Sequence, residues 1–193
     1  MTPETMPSFP PSAGRTHEIC GAGAHFFAFA LAGQSSGQVV WAREDWRPDR
    51  LNPSGFSSFL DPGRLLVVSA GNQTDVLAAT EEALRFGAVA MVIAELSQPL
   101  GLTAGRRLQL AARAGKATGL CIIPEGMGSN AAETRWRCSP VFSTDDSTLQ
   151  LWELIKNKSG TLGDWYVRWG SASRRLYVVS QAGQRPGFEG VSG

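Results

Sequence analysis

Residues 17–31 read HEICGAGAHFFAFAL, and this stretch decides the fold. It predicts a short strand over 17–20, a glycine turn over 21–23 and an apolar helix from about residue 24. In an α/β protein the first strand–turn–helix unit is where a phosphate group usually binds, because the helix N-terminus carries partial positive charge and unpaired N–H groups. The first question is therefore whether this turn can hold a nucleotide.

The turn lacks the residues of an ATP-binding phosphate loop. That loop, G-x-x-x-x-G-K-[ST], needs a lysine for the outer phosphates and a hydroxyl group for Mg²⁺. Counted from Gly21, the positions of the second glycine, the lysine and the hydroxyl residue hold Phe26, Phe27 and Ala28, and the first lysine of the chain is Lys116. We therefore predict that ATP hydrolysis does not occur at this turn.

The dinucleotide fingerprint G-x-G-x-x-G fits the turn better, with Gly21 and Gly23 in place and Glu44 about twenty residues further on. The third glycine, which lets helix and strand pack closely, is replaced by Phe26. A nucleotide-using enzyme, either an NAD(P)-binding oxidoreductase or a weak ATPase whose cation comes from a partner, is kept as an alternative. His25 lies beside the turn, but no nucleophile motif such as G-x-S-x-G accompanies it, so we assign it no catalytic role.

Length and composition are typical of one globular domain. The chain has 193 residues, of which 42% are hydrophobic. No apolar run approaches the roughly 20 residues that span a bilayer, and the Pro- and Ser-rich start of the sequence predicts no secretory signal. Three cysteines without C-x-x-C spacing favour buried, reduced thiols in a cytosolic protein. Two histidines and such scattered cysteines predict no zinc site, and we expect no cofactor.

Charge is divided unevenly along the chain. Residues 1–96 carry 6 Lys and Arg against 10 Asp and Glu, whereas residues 97–193 carry 12 against 7. This asymmetry is consistent with an acidic or nucleic-acid partner for the second half.

Strand and helix patterns alternate along the first two thirds of the chain. Buried strands are predicted at 17–20, 38–42, 64–69, 88–94 and 117–123, and helices at 24–32, 54–60 (capped by Ser54), 74–86 and 103–114. This alternation predicts a parallel sheet with right-handed crossovers. In the 74–86 helix, Val76, Ala79, Ala83 and Phe86 are predicted to share the buried face.

The pattern changes after residue 124. Alternating stretches at 133–141, 148–157, 164–169 and 174–179 predict antiparallel hairpins that continue the sheet. Residues 1–15 are Pro-rich and are predicted to be a flexible lead, and residues 181–193 a disordered tail.

Several stretches resemble the RecA core and, more closely, one RecA-like family. EICG (18–21) resembles the strand that leads into the RecA phosphate loop, and LQLWELIKNK (149–158) resembles the late RecA strand that ends in Lys-Asn-Lys. Four further segments are similar to the ImuA family of bacterial SOS mutagenesis: EEALRFGAVAMVIAEL (81–96), LTAGRRLQLAARAG (102–115), ETRWRCSP (133–140) and WYVRW…RRLYVV (165–179). The resemblance implies a RecA-like three-layer α/β fold over residues 16–180, with a mostly parallel central sheet and antiparallel hairpins at its C-terminal end.

The same resemblance implies that the protein acts by binding partners. ImuA-type proteins work with ImuB, a catalytically inactive relative of Y-family polymerases, and with an error-prone C-family DNA polymerase, and together they copy past DNA lesions. RecA is a further implied partner. The expected function is therefore a non-catalytic accessory factor of the mutasome, the complex for SOS-induced translesion synthesis, in the cytoplasm. A cell-division inhibitor of the related SulA type is a third possibility.

Departures from RecA single out a few residues. Glu44 falls near the position where RecA-type ATPases keep the carboxylate that activates water, and Ala94-Glu95 replaces the expected metal-side Asp. Lys156 and Lys158 match the RecA lysines that reach towards the neighbour's ATP, where two cations form charge-assisted bonds with triphosphate oxygens. We expect these lysines to support one-sided docking on RecA, and a solvated strand end is the alternative.

Arginines form a second group of candidates. Partner or phosphate contacts are predicted for Arg106, Arg107, Arg113, Arg135 and Arg137. The first three lie on one helix, where a solvated helix face is the alternative. The last two flank Trp136 on a strand, and basic residues interleaved with aromatic ones can bind single-stranded DNA by stacking and charge. Aromatic residues that simply face the core are the alternative there.

Overall fold

The computed structural model describes residues 6–185, and side chains as far as residue 182. Its strands are β1 (Thr16–Cys20), β2 (Val39–Glu44), β3 (Leu65–Ala70), β4 (Met91–Glu95), β5 (Thr118–Ile122), β6 (Thr134–Pro140), β7 (Gln150–Asn157), β8 (Leu162–Gly170) and β9 (Arg175–Arg185). Its α-helices are α1 (Ala24–Gln34), α2 (Pro53–Phe56), α3 (Gln73–Phe86) and α4 (Leu102–Gly115). A short 3-10 turn, Pro62–Arg64, precedes β3.

The described strands form one nine-stranded sheet in the order β3-β2-β4-β5-β1-β6-β7-β8-β9. All pairs from β3 to β6 are parallel, and the pairs from β6 to β9 are antiparallel. The predicted α/β class and the antiparallel C-terminal hairpins are therefore confirmed. One detail differs, because β6 pairs in parallel with β1 (Ile19 opposite Trp136) as well as antiparallel with β7. It joins the two parts of the sheet.

Helices cover the two faces of the sheet and create two cores. On the α1 side, Phe27 packs against Trp136 and Trp152 of the sheet, and Phe29 stacks on Trp41. On the other side, α3 and α4 bury Leu84 and Leu108 against aliphatic and cysteine side chains of the parallel strands. The three cysteines are free and buried, as predicted.

The N-terminal lead packs against the domain from residue 6 onward, which corrects the prediction of a flexible segment over 6–15. Met6 is buried in the α1-side core. The Phe9 ring lies 5.7 Å from Phe27 and 5.4 Å from Trp152, centroid to centroid. Met6 and Phe9 thus fix this segment to the domain, although its average composition is typical of a flexible chain. Residues 1–5 lie outside the described part.

β3 is an edge strand, whereas the sequence predicted a third buried one. It pairs only with β2 among the described strands, and Leu66 and Val67 are half-exposed. The run RLLVVS is as apolar as a central strand, and local sequence does not report strand order.

Phe86, predicted on the buried face of its helix, is exposed over 81% of its surface. Counted from Val76 at about 100° per residue, the other buried residues of the helix lie between about 40° and 140°, whereas Phe86 lies at about 280°, on the opposite side of that face. The buried face instead contains Val76, Thr80, Glu81 and Leu84.

Several element ends also differ from the prediction. α2 is shorter than 54–60, and its cap is the Asn52 side chain, which accepts a hydrogen bond from the Ser54 N–H. β9 continues to Arg185, so the first part of the predicted tail is strand, and residues 186–193 lie outside the described part.

Candidate functional site

The glycine turn packs directly against the neighbouring strands. Gly21 has φ +89°, and a Cβ atom there would lie 2.5 Å from the carbonyl oxygen of Cys138 on β6. The Gly23 N–H donates to the same oxygen at 2.8 Å, and a Cβ at Gly23 would lie 2.3 Å from Gln150 Oε1. The Cys138 carbonyl therefore packs against the turn and already accepts the hydrogen bond of the Gly23 N–H. The glycines of the turn serve this close approach.

A buried carboxylate lies next to the turn, at the end of β4. Glu95 is 2% exposed, and four groups from β2, the segment after it and α1 surround it. Trp41 Nε1 donates to Oε2 at 3.2 Å and Arg47 Nη1 to Oε1 at 3.1 Å. Arg43 Nε lies 3.3 Å from Oε2, and His25 Nε2 lies 3.4 Å from Oε1. The His25 ring is stacked on Trp41.

The surroundings of Glu95 favour its ionised form. Burial alone would raise the pKa of this carboxyl group, but hydrogen bonds from His25 and Trp41 and the charge of Arg43 outweigh burial and hold the pKa below its ordinary value. A carboxylate with a lowered pKa and engaged oxygens is a weak general base. The contacts of Glu95 instead connect the end of β4 to β2 and α1.

The sequence predicted Glu44 for this edge of the sheet, and the structure places it along one cavity with Arg43 and Arg47, the two arginines that pair with Glu95. Glu44 is buried at the end of β2, and its Oε2 atom has no hydrogen-bond partner within residues 6–185. It contributes to the lining of a shallow cavity of about 210 Å³ that also contains Asp49 and Arg50. A second cavity of about 300 Å³ shares these two residues and reaches His25. The carboxyl ends of parallel strands are where α/β proteins commonly bind ligands.

Lys156 and Lys158 bind the loop between β5 and β6 of their own chain. Lys156 Nζ donates to the carbonyl oxygens of Ser129 at 3.3 Å and Asn130 at 3.0 Å, and also to that of Ala132. Lys158 Nζ donates to the carbonyl oxygen of Ala131 at 2.7 Å. Burial, with the nearby charge of Lys158, lowers the pKa of Lys156 to about 8.

Arg135 also binds the β5–β6 loop. Its Nε donates to Oε2 of the buried Glu18 at 2.8 Å, and its Nη2 donates to the Ser129 carbonyl at 3.0 Å. Glu18 also accepts the Ser129 N–H at 2.7 Å. The predicted contact residues Arg135, Lys156 and Lys158 are thus brought together, and each holds the β5–β6 loop.

The remaining predicted arginines are distributed over two surfaces. Arg137 is close to Glu125, at 2.8 Å, and to Glu153, at 3.4 Å. On α4, Arg107 pairs with Glu81 of α3 at 2.8 Å, while Arg106 and Arg113 are exposed.

The tryptophans of the terminal strands face the core, as the alternative prediction stated. Trp136, Trp165 and Trp169 are buried. Tyr177 on β9 is partly exposed, and Arg168 lies over its ring at 5.7 Å from the centroid. Stacking of DNA bases on the tryptophans is therefore excluded in this conformation.

Residues 6–185 contain neither a membrane-spanning helix nor a metal-binding cluster of side chains. None of the described helices combines the length and apolar character that a bilayer crossing requires. Within the same residues, no three His, Cys, Asp or Glu side chains converge as metal ligands.

Sequence comparison identifies the family, although no protein-family model matches the chain. Two relatives named Protein ImuA, from Caulobacter vibrioides strains NA1000 and CB 15, are each 30% identical over 185 residues, which covers 80% of this chain and 75% of the relative. The crystal structure of SulA from Pseudomonas aeruginosa overlaps 56% of this chain and 97% of its own, with a TM-score of 0.47 and 24% identity. By its similarity to the two Caulobacter relatives, the chain belongs to the ImuA family.

Proposed function

We propose that the protein is a non-catalytic accessory factor of SOS-induced, error-prone translesion DNA synthesis. Membership of the ImuA family supports the biological role. The observation that carries the non-catalytic part is the glycine turn, where the Cys138 carbonyl packs against Gly21 and accepts the Gly23 N–H. The chain also lacks the lysine and hydroxyl of a phosphate loop.

The proposed mode of action is contact with other proteins of the damage response. The proposed partners are an ImuB-type relative of Y-family polymerases, an error-prone C-family DNA polymerase and RecA, with single-stranded DNA as a further candidate ligand. We place this activity in the cytoplasm. One-sided docking on RecA through Lys156 and Lys158 requires both ammonium groups to leave the carbonyl oxygens that they bind here.

A nucleotide-using enzyme is the second candidate function. Two cavities at the carboxyl ends of the parallel strands favour it, because ligands of α/β proteins bind at this edge. His25, Glu44 and Arg50 lie along these cavities. The absence of a phosphate-loop lysine argues against ATP, and Phe26 in place of the third glycine argues against NAD.

Deletion of the gene in its own bacterium tests the proposed role. We expect the frequency of mutations after ultraviolet irradiation to fall towards the level of unirradiated cells, with no change in spontaneous mutation frequency. A plasmid copy of the gene is the control and should restore induced mutagenesis. An induced mutation frequency that is unchanged in the deletion strain contradicts the proposal.

A further inference from the structure

The end of β2, the segment that follows it and the edge strand β3 line a cavity of about 210 Å³. Two buried side-chain atoms of this lining have no hydrogen-bond partner within residues 6–185, the Oε2 atom of Glu44 and the Nε atom of Arg47. We propose that the cavity binds a free α-amino acid with an aliphatic side chain. This binding depends only on the cavity, so its failure leaves the proposed role in translesion synthesis untouched.

Glu44 is the group that lacks a positively charged donor. It is 4% exposed, and a carboxylate removed from water costs free energy unless a cation or hydrogen-bond donors compensate it. Arg43 already pairs with Asp49 at 2.9 Å and with Glu95 at 3.3 Å. Arg47 pairs with Glu95 at 3.1 Å. The last side-chain torsion of a glutamate is broad, so either oxygen can turn towards the cavity and accept from the ammonium group of a ligand.

The arginines supply donors for a negatively charged group. Arg47 donates from Nη1 to Glu95 and from Nη2 to the Leu96 carbonyl oxygen, which leaves its Nε–H without an acceptor. Arg50 lines the same cavity and is exposed. A guanidinium presents five N–H donors in a planar fork that matches a carboxylate. The carboxylate of an amino acid would therefore bind these two arginines.

The charge balance and the size of the cavity favour a small zwitterion. The charged residues of the lining are three arginines and three carboxylates: Arg43, Arg47, Arg50, Glu44, Asp45 and Asp49. A ligand without net charge leaves this balance unchanged. The volume is below the roughly 300–1,000 Å³ of pockets for drug-sized molecules. Leu51 and Val67 add apolar surface, against which an aliphatic side chain would pack.

Two other ligands fit less well. A phosphate group of a nucleotide would bring up to about two negative charges close to the unpartnered Glu44 carboxylate, which opposes binding. An amine without an acidic group would leave the Arg47 Nε–H without an acceptor and would lie near three guanidinium groups. An α-amino acid satisfies both unpartnered atoms with one molecule.

Calorimetric titration with three ligands of the same side chain tests the proposal. L-Leucine carries both charged groups, L-leucinamide lacks the carboxylate, and 4-methylpentanoic acid lacks the ammonium group. We expect saturable heat from leucine and binding at least about tenfold weaker from the other two. Leucine should also raise the Tm of the protein, because it binds the folded state alone. Absence of saturable leucine binding overturns the proposal, and so does equally tight binding of leucinamide or of the acid.

Glu44→Gln keeps the shape of the side chain and removes its charge, and it should raise the Kd for leucine at least about tenfold. Glu82→Gln is the matched control. Glu82 is exposed on α3 and lines a different cavity, so its substitution makes the same change in net charge at another surface. It should leave the Kd unchanged, and circular dichroism verifies that both variants are folded. An unchanged Kd in Glu44→Gln, or an equal loss in both variants, overturns the proposal.

Discussion

Gly21→Ala should destabilise the protein by about 2–5 kcal/mol, for two separable reasons. Gly21 has φ +89°, and the left-handed region costs a residue with a Cβ atom about 1–2 kcal/mol. The new Cβ would also lie 2.5 Å from the Cys138 carbonyl oxygen, which is backbone and cannot move without displacing β6. Overpacking of this kind typically costs a further 1–3 kcal/mol, roughly.

Gly126→Ala isolates the backbone part of that cost. Gly126 has φ +80°, and no heavy atom lies within 4 Å of its ideal Cβ position. Urea unfolding of the wild-type protein and both variants gives the loss in free energy of unfolding for each substitution. The loss for Gly21→Ala should exceed that for Gly126→Ala by about 1–3 kcal/mol. Equal losses would refute the reasoning, because they would mean that the space beside Gly21 is open.

Three further predictions follow from buried polar groups. Burial lowers the pKa of His17 to about 4. In the unfolded chain this histidine takes up a proton near pH 6.5, whereas in the folded protein it stays neutral down to about its lowered pKa. The free energy of unfolding should therefore fall by about 2 kcal/mol from pH 7 to pH 5. That loss should disappear in His17→Gln and persist in His25→Gln. Glu95→Ala leaves the buried Arg43 without this carboxylate and should lower the free energy of urea unfolding by about 3–5 kcal/mol. Asp49→Ala removes an exposed partner of Arg43 and should lower it by less than about 1 kcal/mol. Lys156→Met leaves loop carbonyls without their donor and should speed amide hydrogen exchange across residues 129–132; unchanged exchange would contradict the loop contacts.

Sequence patterns predict where the strands lie along the chain, but not the order of those strands in the sheet. Short apolar runs bounded by turn residues predict strands because buried parallel strands have that composition. The same reasoning cannot tell β3 at the sheet edge from β2 inside it, since both runs are aliphatic and the order depends on crossovers far apart in sequence. The N-terminal lead was missed for a different reason. Met6 and Phe9 are two apolar residues in a polar, Pro-rich segment, and the aromatic rings that Phe9 contacts come from α1, β6 and β7, far away in sequence.

The candidate site was predicted in part. The glycines of the turn were located correctly, but their partner, the Cys138 carbonyl, lies more than a hundred residues away and has no sequence signature. The sequence marks Glu95 only as a replacement for the expected Asp, because the four partners of its carboxylate come from three separate parts of the fold. A carboxylate directly after a buried strand was the available signal. Lys156 was singled out from a RecA motif, and the carbonyl oxygens that it binds became visible only in three dimensions.

The most direct test of the central claim, that the Gly21–Gly23 turn is a packing element and not a nucleotide site, is calorimetric titration with ATP–Mg²⁺ and, separately, with NADH. We predict no heat of binding from either ligand, because the Gly23 N–H is already bonded to the Cys138 carbonyl and the phosphate-loop lysine is absent from the turn. Saturable ATP binding at micromolar concentration would contradict the account and reveal a non-standard phosphate site. Binding of NADH alone would instead make this a dinucleotide-binding protein.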